Sequence, residues 1–507
     1  MGHAVFAAPE FLTVGIFFTA FLPGSVKGGG PSLKKQLKSH PRSFRVIATK
    51  PNSKEMTQMA SANTLCKKLL NVKTAVVESH DFYFDQKGVQ HLRIKARPDK
   101  WHQCRCPFCG RKCPKDGLSV KQHRLWRSLD FGSILVEIES DTQRIKCPEH
   151  GSIVADVPWA YPGSRFTRDF DLTVGWLAVY LPRSAVSEYM RIDWKTVGRC
   201  VSRTLREIEP ERNVRLNNLV CIGIDETSYK KGHKYITVVL NHETNTVVWA
   251  APGHGKKVLE QFYRLLTPEQ LASIQVVTGD GARWITDCVN DFTPNCERCV
   301  DPFHVVEWAM DALDEVRREV WREACTESKR LRRESPVMRG RPKANDAEAQ
   351  AMRQAKAKAD QIKGSTYALG KAPENLTKSQ QIRLEMIQKE NPRLYRAYRI
   401  KERLRLILKM QSVGEAASEL EHWLWWASHS RIPAMHDLYA KVKRHKAHIL
   451  NAIRLGLSNA RIEAANNKIK LIIRKAYGFR NIDNLLDMVY LVCSDLSIPL
   501  PNRSSMP

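Results

Sequence analysis

Two aspartates follow apolar runs of the sequence and could together hold a divalent cation. Asp225 ends the run Ile222-Gly223-Ile224, and Asp280 ends Val276-Val277-Thr278-Gly279. Each run predicts a buried β-strand with the aspartate at its end. If the two strands are neighbours in one sheet, the carboxylates lie side by side, which is costly because like charges repel at close range. A bound divalent cation, Mg²⁺ or Mn²⁺, would remove that cost.

A third acidic residue, Glu463, lies on the polar side of a predicted helix near the end of the sequence. Helical spacing gives this helix a polar row and an apolar row. If the apolar row packs on the sheet, the polar row faces the two aspartates. Lys470 and Arg474 of the polar row are candidates for binding a DNA phosphate. The polar row is Asn459, Glu463, Asn467, Lys470 and Arg474, and the apolar row is Ile462, Ile469, Ile472 and Ile473.

Three carboxylates of this kind could hold two Mg²⁺ ions, one to activate a nucleophile and one to stabilise a leaving oxygen. That chemistry is phosphodiester hydrolysis or, with a 3′-hydroxyl in place of water, strand transfer. Taken singly, a strand-end aspartate is usually a turn residue and a helical glutamate is usually solvated. The hypothesis therefore depends on whether one arrangement of strands and helix brings all three carboxylates together.

A second metal site is predicted from two short motifs with the same spacing. Cys-Pro-Phe-Cys-Gly and Cys-Pro-Glu-His-Gly each place two ligands three positions apart. Two such turns on neighbouring hairpins would complete a tetrahedral structural Zn²⁺ site, a zinc ribbon. Cys104 and Cys113 are spare thiols that could compete, and inert cysteines in a hairpin are the alternative. The predicted zinc ligands are Cys106, Cys109, Cys147 and His150.

Composition indicates a basic protein of several modules. A chain of 507 residues is longer than a domain with a single hydrophobic core usually is. Lys and Arg number 81 against 53 Asp and Glu, a formal net charge of +28. This favours a polyanion as partner, although charge alone would also fit a generally basic protein. Thirteen cysteines, an odd number with a local cluster, indicate metal chemistry in a reducing cytoplasm.

The N-terminal residues are expected to lie outside the folded protein. The apolar stretch 11–22 has 12 residues, well short of the roughly 20 that span a membrane. No Lys or Arg precedes it, which argues against a signal peptide, and no membrane partner is expected. Residues 1–58 are interpreted as a disordered or non-native extension, which translation from Met56 or Met59 would remove.

Residues 165–210 predict three short helices with tight joints, the layout of a helix-turn-helix domain. The helices are expected at residues 172–181, 182–190 and 193–207, with Asp193 capping the third. A plain helical spacer is the alternative. If the third helix enters a major groove, the residues that it presents to double-stranded DNA are Lys195, Arg199, Arg203 and Arg206.

The remaining elements predict a multidomain α/β protein. The order βββ-α-β-α-β across residues 215–305 is that of an RNase H-like mixed sheet, with a meander followed by parallel strands. Residues 446–496 would complete this catalytic domain, and residues 306–445 would form a large helical insertion. A β-rich zinc-ribbon domain is expected at residues 60–160. The basic segment 339–343 could be a minor-groove hook or a solvated linker.

Several of these stretches resemble one known family. They are Ile224-Asp225-Glu226, Thr278-Gly279-Asp280-Gly281, Asp301-Pro302-Phe303-His304-Val305, residues 458–470 and Tyr477-Gly478-Phe479-Arg480-Asn481. Together they look like the ISL-three family of bacterial insertion-sequence transposases, over about residues 60–495, and the last blocks are the most specific part.

The resemblance implies an Asp-Asp-Glu catalytic triad at Asp225, Asp280 and Glu463, an RNase H-like fold and a helical insertion. His304 matches a motif residue, which either touches the scissile phosphate or caps the fifth strand. The family usually closes its ribbon with cysteine, so His150 is a departure, although histidine is an ordinary zinc ligand.

The leading hypothesis is a transposase that recognises the terminal inverted repeats of its element and then cuts and joins DNA. It would act as a homo-oligomer that synapses two ends, in the bacterial cytoplasm at the nucleoid. One alternative is an RNase H-like nuclease or resolvase that cuts without joining. Another is a zinc-containing DNA-binding regulator without catalytic activity.

Overall fold

The computed structural model describes residues 62–117, 122–209, 212–334, 347–457 and 460–501. The predicted extension 1–58, the basic segment 339–343 and Asn459 lie outside the described residues. Among the described residues, no helix combines the length and the apolar character that crossing a membrane requires.

A helix and a four-stranded sheet form the first part of the described chain. The sheet has the order β1-β2-β4-β3, and β1 and β2 form an antiparallel hairpin. Alternate residues of β2 and β4 are buried against Trp126 and Trp159. The polar strand β3 was not predicted, since Gln-His-Arg-Leu-Trp-Arg has little apolar alternation. The elements are α1 (Ala62–Leu70), β1 (Ala75–Phe84), β2 (Gln90–Pro98), β3 (Gln122–Arg127) and β4 (Leu135–Thr142).

A small hairpin and three helices follow. The hairpin pairs β5 with β6 in antiparallel register. Thr167 caps α2, and Asp193 caps α4 by accepting a hydrogen bond of 2.8 Å from the Lys195 amide, as predicted. The elements are β5 (Arg144–Cys147), β6 (Gly151–Val154), α2 (Arg168–Tyr180), α3 (Arg183–Tyr189) and α4 (Trp194–Ile208).

A five-stranded mixed sheet lies at the centre of the next region. Its strand order is β11-β10-β7-β8-β9. β7, β8 and β9 form an antiparallel meander, and β7, β10 and β11 are parallel. The order of the strands is the one that the sequence predicts, and the short helix α6 is an addition to the predicted βββ-α-β-α-β. The elements are β7 (Cys221–Lys230), β8 (Lys234–Asn241), β9 (Thr246–Pro252), α5 (Lys256–Tyr263), α6 (Pro268–Ser273), β10 (Val276–Gly279), α7 (Arg283–Phe292) and β11 (Glu297–Val300).

Two boundaries differ from the prediction. β7 continues past Asp225, because it stays paired with β8 as far as Lys230 opposite Lys234. The fifth strand, which the sequence predicts at residues 298–303, ends at Val300, because the Asp301 side chain accepts a hydrogen bond of 3.2 Å from the Phe303 amide and opens a helix instead.

Helices cover both faces of this sheet. On one face, Ile222, Ile224 and Val277 pack against α5 and α7. On the other face, β8 and β9 pack against α4 and two C-terminal helices. The hydroxyl of Tyr490 accepts a hydrogen bond of 2.9 Å from the Ala250 amide and fixes the last helix to β9. The two C-terminal helices are α16 (Ala460–Lys475) and α17 (Ile482–Cys493).

The described residues between β11 and α16 form α-helices with short connections between them. They enclose a core of their own, in which Trp423 donates a hydrogen bond of 2.8 Å to the carbonyl of Ile400. The helices are α8 (Pro302–Glu334), α9 (Ala347–Lys363), α10 (Thr366–Gly370), α11 (Lys378–Glu390), α12 (Pro392–Ile407), α13 (Val413–Ser428), α14 (Pro433–Arg444) and α15 (Lys446–Leu455).

Candidate metal sites and DNA-binding helix

The four predicted zinc ligands converge on one point, and we call them the zinc-ligand group: Cys106, Cys109, Cys147 and His150. Their ligand atoms all lie within 4.8 Å of one another. The sulfurs of Cys109 and Cys147 are 3.7 Å apart, and Nδ1 of His150 lies 3.6 Å from the sulfurs of Cys106 and Cys147. A tetrahedral zinc ion, with bonds of about 2.3 Å to sulfur and 2.0 Å to nitrogen, would separate its ligands by about 3.5 to 3.8 Å. The group therefore fits zinc.

Two tight turns hold these ligands. In the first, the amide of Gly110 donates to the carbonyl of Cys106 at 3.0 Å, and Gly110 adopts a φ of 69° that favours glycine. The amide of Phe108 donates to the Cys106 sulfur at 3.4 Å. The second turn joins β5 to β6 and uses Gly151, also at a φ of 69°. The chain thus positions the sulfurs with local contacts.

The two spare thiols have other partners. The sulfur of Cys104 accepts a hydrogen bond of 3.0 Å from the Gln143 side chain, and the thiol of Cys113 donates to the carbonyl of Arg111 at 3.4 Å. Both remain outside the set of atoms that lie within 4.8 Å of one another.

The two candidate aspartates lie at the same edge of two neighbouring parallel strands. β10 pairs with β7 so that Gly279 is opposite Ile224. Asp225 is the next residue of β7, and Asp280 is the first residue after β10. Burial raises the pKa of Asp225, and the neighbouring charge of Asp280 raises it further. Two carboxylates in this position offer the oxygen ligands that Mg²⁺ prefers.

The helix α16 lies directly against these strands. The side chain of Ile462 fills the space over Gly223, where a Cβ atom would overlap it. The amide of Asn466 donates a hydrogen bond of 2.6 Å to Oδ2 of Asp225. Asn466 is a contact that the sequence pattern missed, since the predicted polar row contains its neighbour Asn467 instead.

Glu463 lies on the same side of α16, one turn before Asn466, and its side chain is exposed. Among the described residues, the zinc-ligand group is the only cluster of three or more His, Cys, Asp or Glu side chains that could hold a metal ion. The structure thus brings Asp225 and Asp280 together, and Glu463 does not form a three-residue cluster with them.

Another carboxylate, Glu226, lies beside the two aspartates. Burial raises the pKa of Glu226, His254 opposes that shift, and Asp280 adds to it. Glu226 belongs to the Ile224-Asp225-Glu226 motif, but no pattern in the sequence assigns it a role.

A buried guanidinium lies behind Asp280. Arg298 of β11 donates hydrogen bonds to the backbone carbonyls of Asp280, Cys299 and Val277, the last at 3.3 Å. Burial lowers its pKa to about 10, while the charge of Asp280 opposes the shift, so the side chain stays charged at neutral pH. Arg298 therefore holds the end of β10 and places a positive charge next to the carboxylates.

His304 lies in the first turn of α8, where its ring hydrogen-bonds with Glu307 at 3.0 Å. It is close enough to Asp225 to act against the rise in the pKa of that aspartate. Its two predicted roles, contact with the scissile phosphate and capping of the fifth strand, both stay predictions.

The helical insertion also reaches Asp280. Trp308 of α8 lies so close to Gly281 that a Cβ atom there would overlap its ring. Lys441 of α14 lies 4.1 Å from the centre of the same ring. Burial lowers the pKa of Lys441, although Asp311 and Asp280 partly oppose the shift. The loop after β10 is therefore packed between the sheet and the insertion.

The predicted DNA-binding residues fall into two groups. Lys195, Arg199 and Arg206 of α4 are exposed, and so are Lys470 and Arg474 of α16. These five can reach a phosphate without disturbing the fold.

Arg203 is different, because its guanidinium is paired within the fold. Its guanidinium makes two hydrogen bonds, of 2.7 and 2.8 Å, to the carboxylate of Asp171 on α2, whose side chain is 0% exposed. Arg203 thus neutralises a buried charge and ties α4 to α2.

Matches to family models define the class of this protein. Residues 222–489, more than half of the chain, match a model described as a transposase. Residues 155–204 match the helix-turn-helix domain of transposase family ISL3. The chain belongs to the ISL3 family of insertion-sequence transposases, as the sequence resemblance predicted.

Two sets of relatives cover most of the chain. It is 42% identical over 448 residues to the transposase for insertion sequence element IS1557 of Mycobacterium tuberculosis, strains CDC 1551 / Oshkosh and ATCC 25618 / H37Rv, covering 87% of this chain and 98% of the relative. It is 25% identical over 381 residues to the transposase for insertion sequence element IS1001 of Bordetella parapertussis, covering 74% and 85%.

Proposed function

We propose that this transposase binds the terminal inverted repeats of its element and uses Asp225, Asp280 and Glu463 to cleave DNA and transfer its strands. The observation that carries the proposal is the position of Asp225 and Asp280, which directly follow the paired residues Ile224 and Gly279 of two parallel strands, with α16 hydrogen-bonded to Asp225 through Asn466. We call the three proposed catalytic carboxylates the carboxylate site. The strand order of the sheet supports an RNase H-like catalytic domain.

Mg²⁺ or Mn²⁺ is the proposed cofactor, with Asp225, Asp280 and Glu463 as its ligands. Bound divalent ions would activate the attacking oxygen and stabilise the leaving oxygen of an in-line displacement. Asn466 orients Asp225 by holding one of its two carboxylate oxygens. Arg298 fixes the backbone of Asp280 from behind.

Glu463 must approach the aspartates for the site to be complete. It lies three residues before Asn466, which corresponds to about 4.5 Å along a helix. The side chain is exposed and therefore free to change rotamer. We propose that it turns towards Asp225 and Asp280 when metal ions and DNA bind, because the ions remove the repulsion among the three carboxylates.

DNA recognition is assigned to the exposed basic residues. Lys195, Arg199 and Arg206 would contact double-stranded DNA from α4, and Lys470 and Arg474 would contact phosphates from α16. His304 would lie near the scissile phosphate, since it is an electrostatic neighbour of Asp225. Zinc at the zinc-ligand group would stabilise the ribbon, and a homo-oligomer would synapse two element ends in the bacterial cytoplasm at the nucleoid.

The proposed division into domains follows the same elements. Residues 60–160 form the zinc-ribbon domain and residues 165–210 the helix-turn-helix domain. Residues 215–305 and 446–496 form the catalytic domain, and residues 306–445 form the insertion.

The test compares wild type with Asp280→Asn on labelled DNA that carries the terminal repeats, with Mg²⁺ and a target plasmid. Wild type should release the ends and join them to the plasmid. Asp280→Asn should bind the ends with unchanged affinity and cleave them at least about 10³-fold more slowly, because several kcal/mol of transition-state stabilisation are lost. Equal cleavage by both proteins would contradict the assignment.

The same assay separates the alternatives. Products of hydrolysis without plasmid joining would favour an RNase H-like nuclease or resolvase. Binding of the ends by wild type, without cleavage in either Mg²⁺ or Mn²⁺, would favour a zinc-containing DNA-binding regulator.

A further inference from the structure

A cleft of about 780 Å³ lies between the helix-turn-helix and the segment that follows α16. Its lining comes from α3, the start of α4, the end of β7 and the last residues of α16 with the turn after them. The carboxylate site does not line it. We call it the aromatic cleft, after the side chains described next.

Aromatic rings are exposed in this cleft. The side chain of Tyr477 is 91% exposed, and that of Trp194 is 38% exposed. Arg480 lies 5.6 Å from the centre of the Trp194 ring, and Arg183 lies 5.3 Å from that of Phe479. Large aromatic side chains cost free energy when left in water, so exposed rings grouped with arginines indicate a surface that binds a ligand.

The charge of the cleft is strongly positive. Four basic residues line it, and Glu188 is the one carboxylate among its described lining residues. Nη2 of Arg183 is buried and has no hydrogen-bond partner among the described residues, whereas Lys475 is fixed by a hydrogen bond to the carbonyl of Val179. The four basic residues are Arg183, Lys230, Lys475 and Arg480.

Two elements connect the aromatic cleft to the carboxylate site. β7 leads from Asp225 to Lys230, about 16 Å at 3.3 Å per residue. α16 leads from Glu463 to Lys475, about 18 Å at 1.5 Å per residue. The two run side by side, since Asn466 of α16 hydrogen-bonds with Asp225. Because a DNA strand has one phosphate per about 3.4 Å of helix axis, the cleft lies about five nucleotides from a phosphate at the carboxylate site.

We propose that the aromatic cleft binds an unpaired nucleotide of the DNA strand that enters the carboxylate site. The base stacks on Tyr477 or Trp194, and the neighbouring phosphates contact Arg480 and Lys230. A base inside a duplex has both faces covered by its neighbours, so an aromatic side chain can stack only on a base that has left the duplex. The inference rests on the proposed function, because it assumes that DNA lies across the carboxylate site.

The test measures binding of the full chain to fluorescent DNA without divalent ions, so that no cleavage occurs. One DNA is a blunt duplex, and the others carry five unpaired thymidines at a 3′ or a 5′ end. Wild type should bind one of the overhang duplexes about 5- to 150-fold more tightly than the blunt duplex, which is the range expected for stacking of one base.

Variants at Tyr477 test whether the preference for overhang DNA arises in the aromatic cleft. Tyr477 has a φ of 53°, which Asn tolerates better than most residues. Tyr477→Asn should therefore remove the preference for the overhang and leave binding of the blunt duplex unchanged, whereas Tyr477→Phe should keep the preference. Tyr367→Asn is the matched control, since Tyr367 is 76% exposed but lies on α10 in the insertion.

Equal affinity of wild type for blunt and overhang DNA would overturn the inference and leave the proposed function standing. So would a preference that survives in Tyr477→Asn. A wild-type protein that binds none of these DNAs would overturn both.

Discussion

The two metal sites assigned to this chain differ in how far the structure has assembled them. The zinc-ligand group has all four ligand atoms within 4.8 Å of one another. In the carboxylate site, Asp225 and Asp280 follow paired residues of two parallel strands, whereas Glu463 is exposed on α16. The four zinc ligands are gathered into one group, and the carboxylate site is open to solvent at Glu463.

The difference follows from how each site is built. The zinc ligands span 44 residues (150 minus 106) and lie on two tight turns. The proposed catalytic carboxylates span 238 residues (463 minus 225) and come from a strand, a loop and a helix. A structural metal stabilises a small module and needs no open position, whereas a catalytic metal must admit water and phosphate. An open carboxylate site is therefore consistent with a substrate that helps to complete it.

The largest expected effect is the loss of zinc. Cys147→Ser should reduce bound zinc from about one ion per chain to almost none and should unfold the ribbon, because structural zinc contributes about 10 kcal/mol or more to small metal modules. Metal analysis and thermal unfolding of the purified protein would measure both effects.

His150→Cys is the control for that experiment, since it keeps four zinc ligands. It should retain the ion and the melting temperature. A wild-type protein without zinc, or a Cys147→Ser protein with unchanged stability, would show that the zinc-ligand group is only a cluster of cysteines.

The next largest effect distinguishes Arg203 from Arg199, which the sequence predicts on the same DNA-binding face of α4. Arg203→Ala should destabilise the protein by about 3 to 5 kcal/mol, because it leaves the buried charge of Asp171 without its partner. Arg199→Ala should leave stability unchanged and weaken DNA binding, since Arg199 is exposed. Denaturant unfolding and DNA titrations at fixed salt would measure the two quantities. Unchanged stability of Arg203→Ala would contradict the role of the ion pair.

A smaller effect concerns the contact that joins α16 to the carboxylate site. Asn466→Ala should lower the cleavage rate about 10- to 100-fold, as expected when a residue that orients a metal ligand is lost. Asn467→Ala is the matched control, because the adjacent Asn467 is exposed and should tolerate the change. A rate loss in Asn467→Ala equal to that in Asn466→Ala would mean that the helix, and not the contact with Asp225, is what matters.

The sequence was sufficient where short-range patterns decide the structure. The spacing of Cys106 and Cys109 predicted one zinc turn, and the alternating apolar runs predicted the order of the strands. It also gave Asp193 as the cap of α4. These features depend on residues within a few positions of one another, so their physical causes are visible in the sequence.

The sequence was insufficient where the role of a residue depends on a partner that is far away in the chain. The helical spacing of Arg203 and Arg199 identified one face of α4. It could not show that Asp171 of α2 lies opposite Arg203. The same reasoning chose Asn467 over Asn466, because the angle at which α16 crosses β7 depends on the packing of Ile462. Arg298 looked like an ordinary strand residue, and its burial depends on three separate elements.

We propose that Glu463, and not Glu226, completes the carboxylate site. The most direct measurement compares the rates at which Glu463→Gln and Glu226→Gln cleave end DNA in Mg²⁺, at equal DNA occupancy. Glu463→Gln should lose at least about 10³-fold in rate, as expected for a lost metal ligand, and Glu226→Gln should stay within about tenfold of wild type. A fully active Glu463→Gln protein beside an inactive Glu226→Gln protein would contradict the assignment of Glu463.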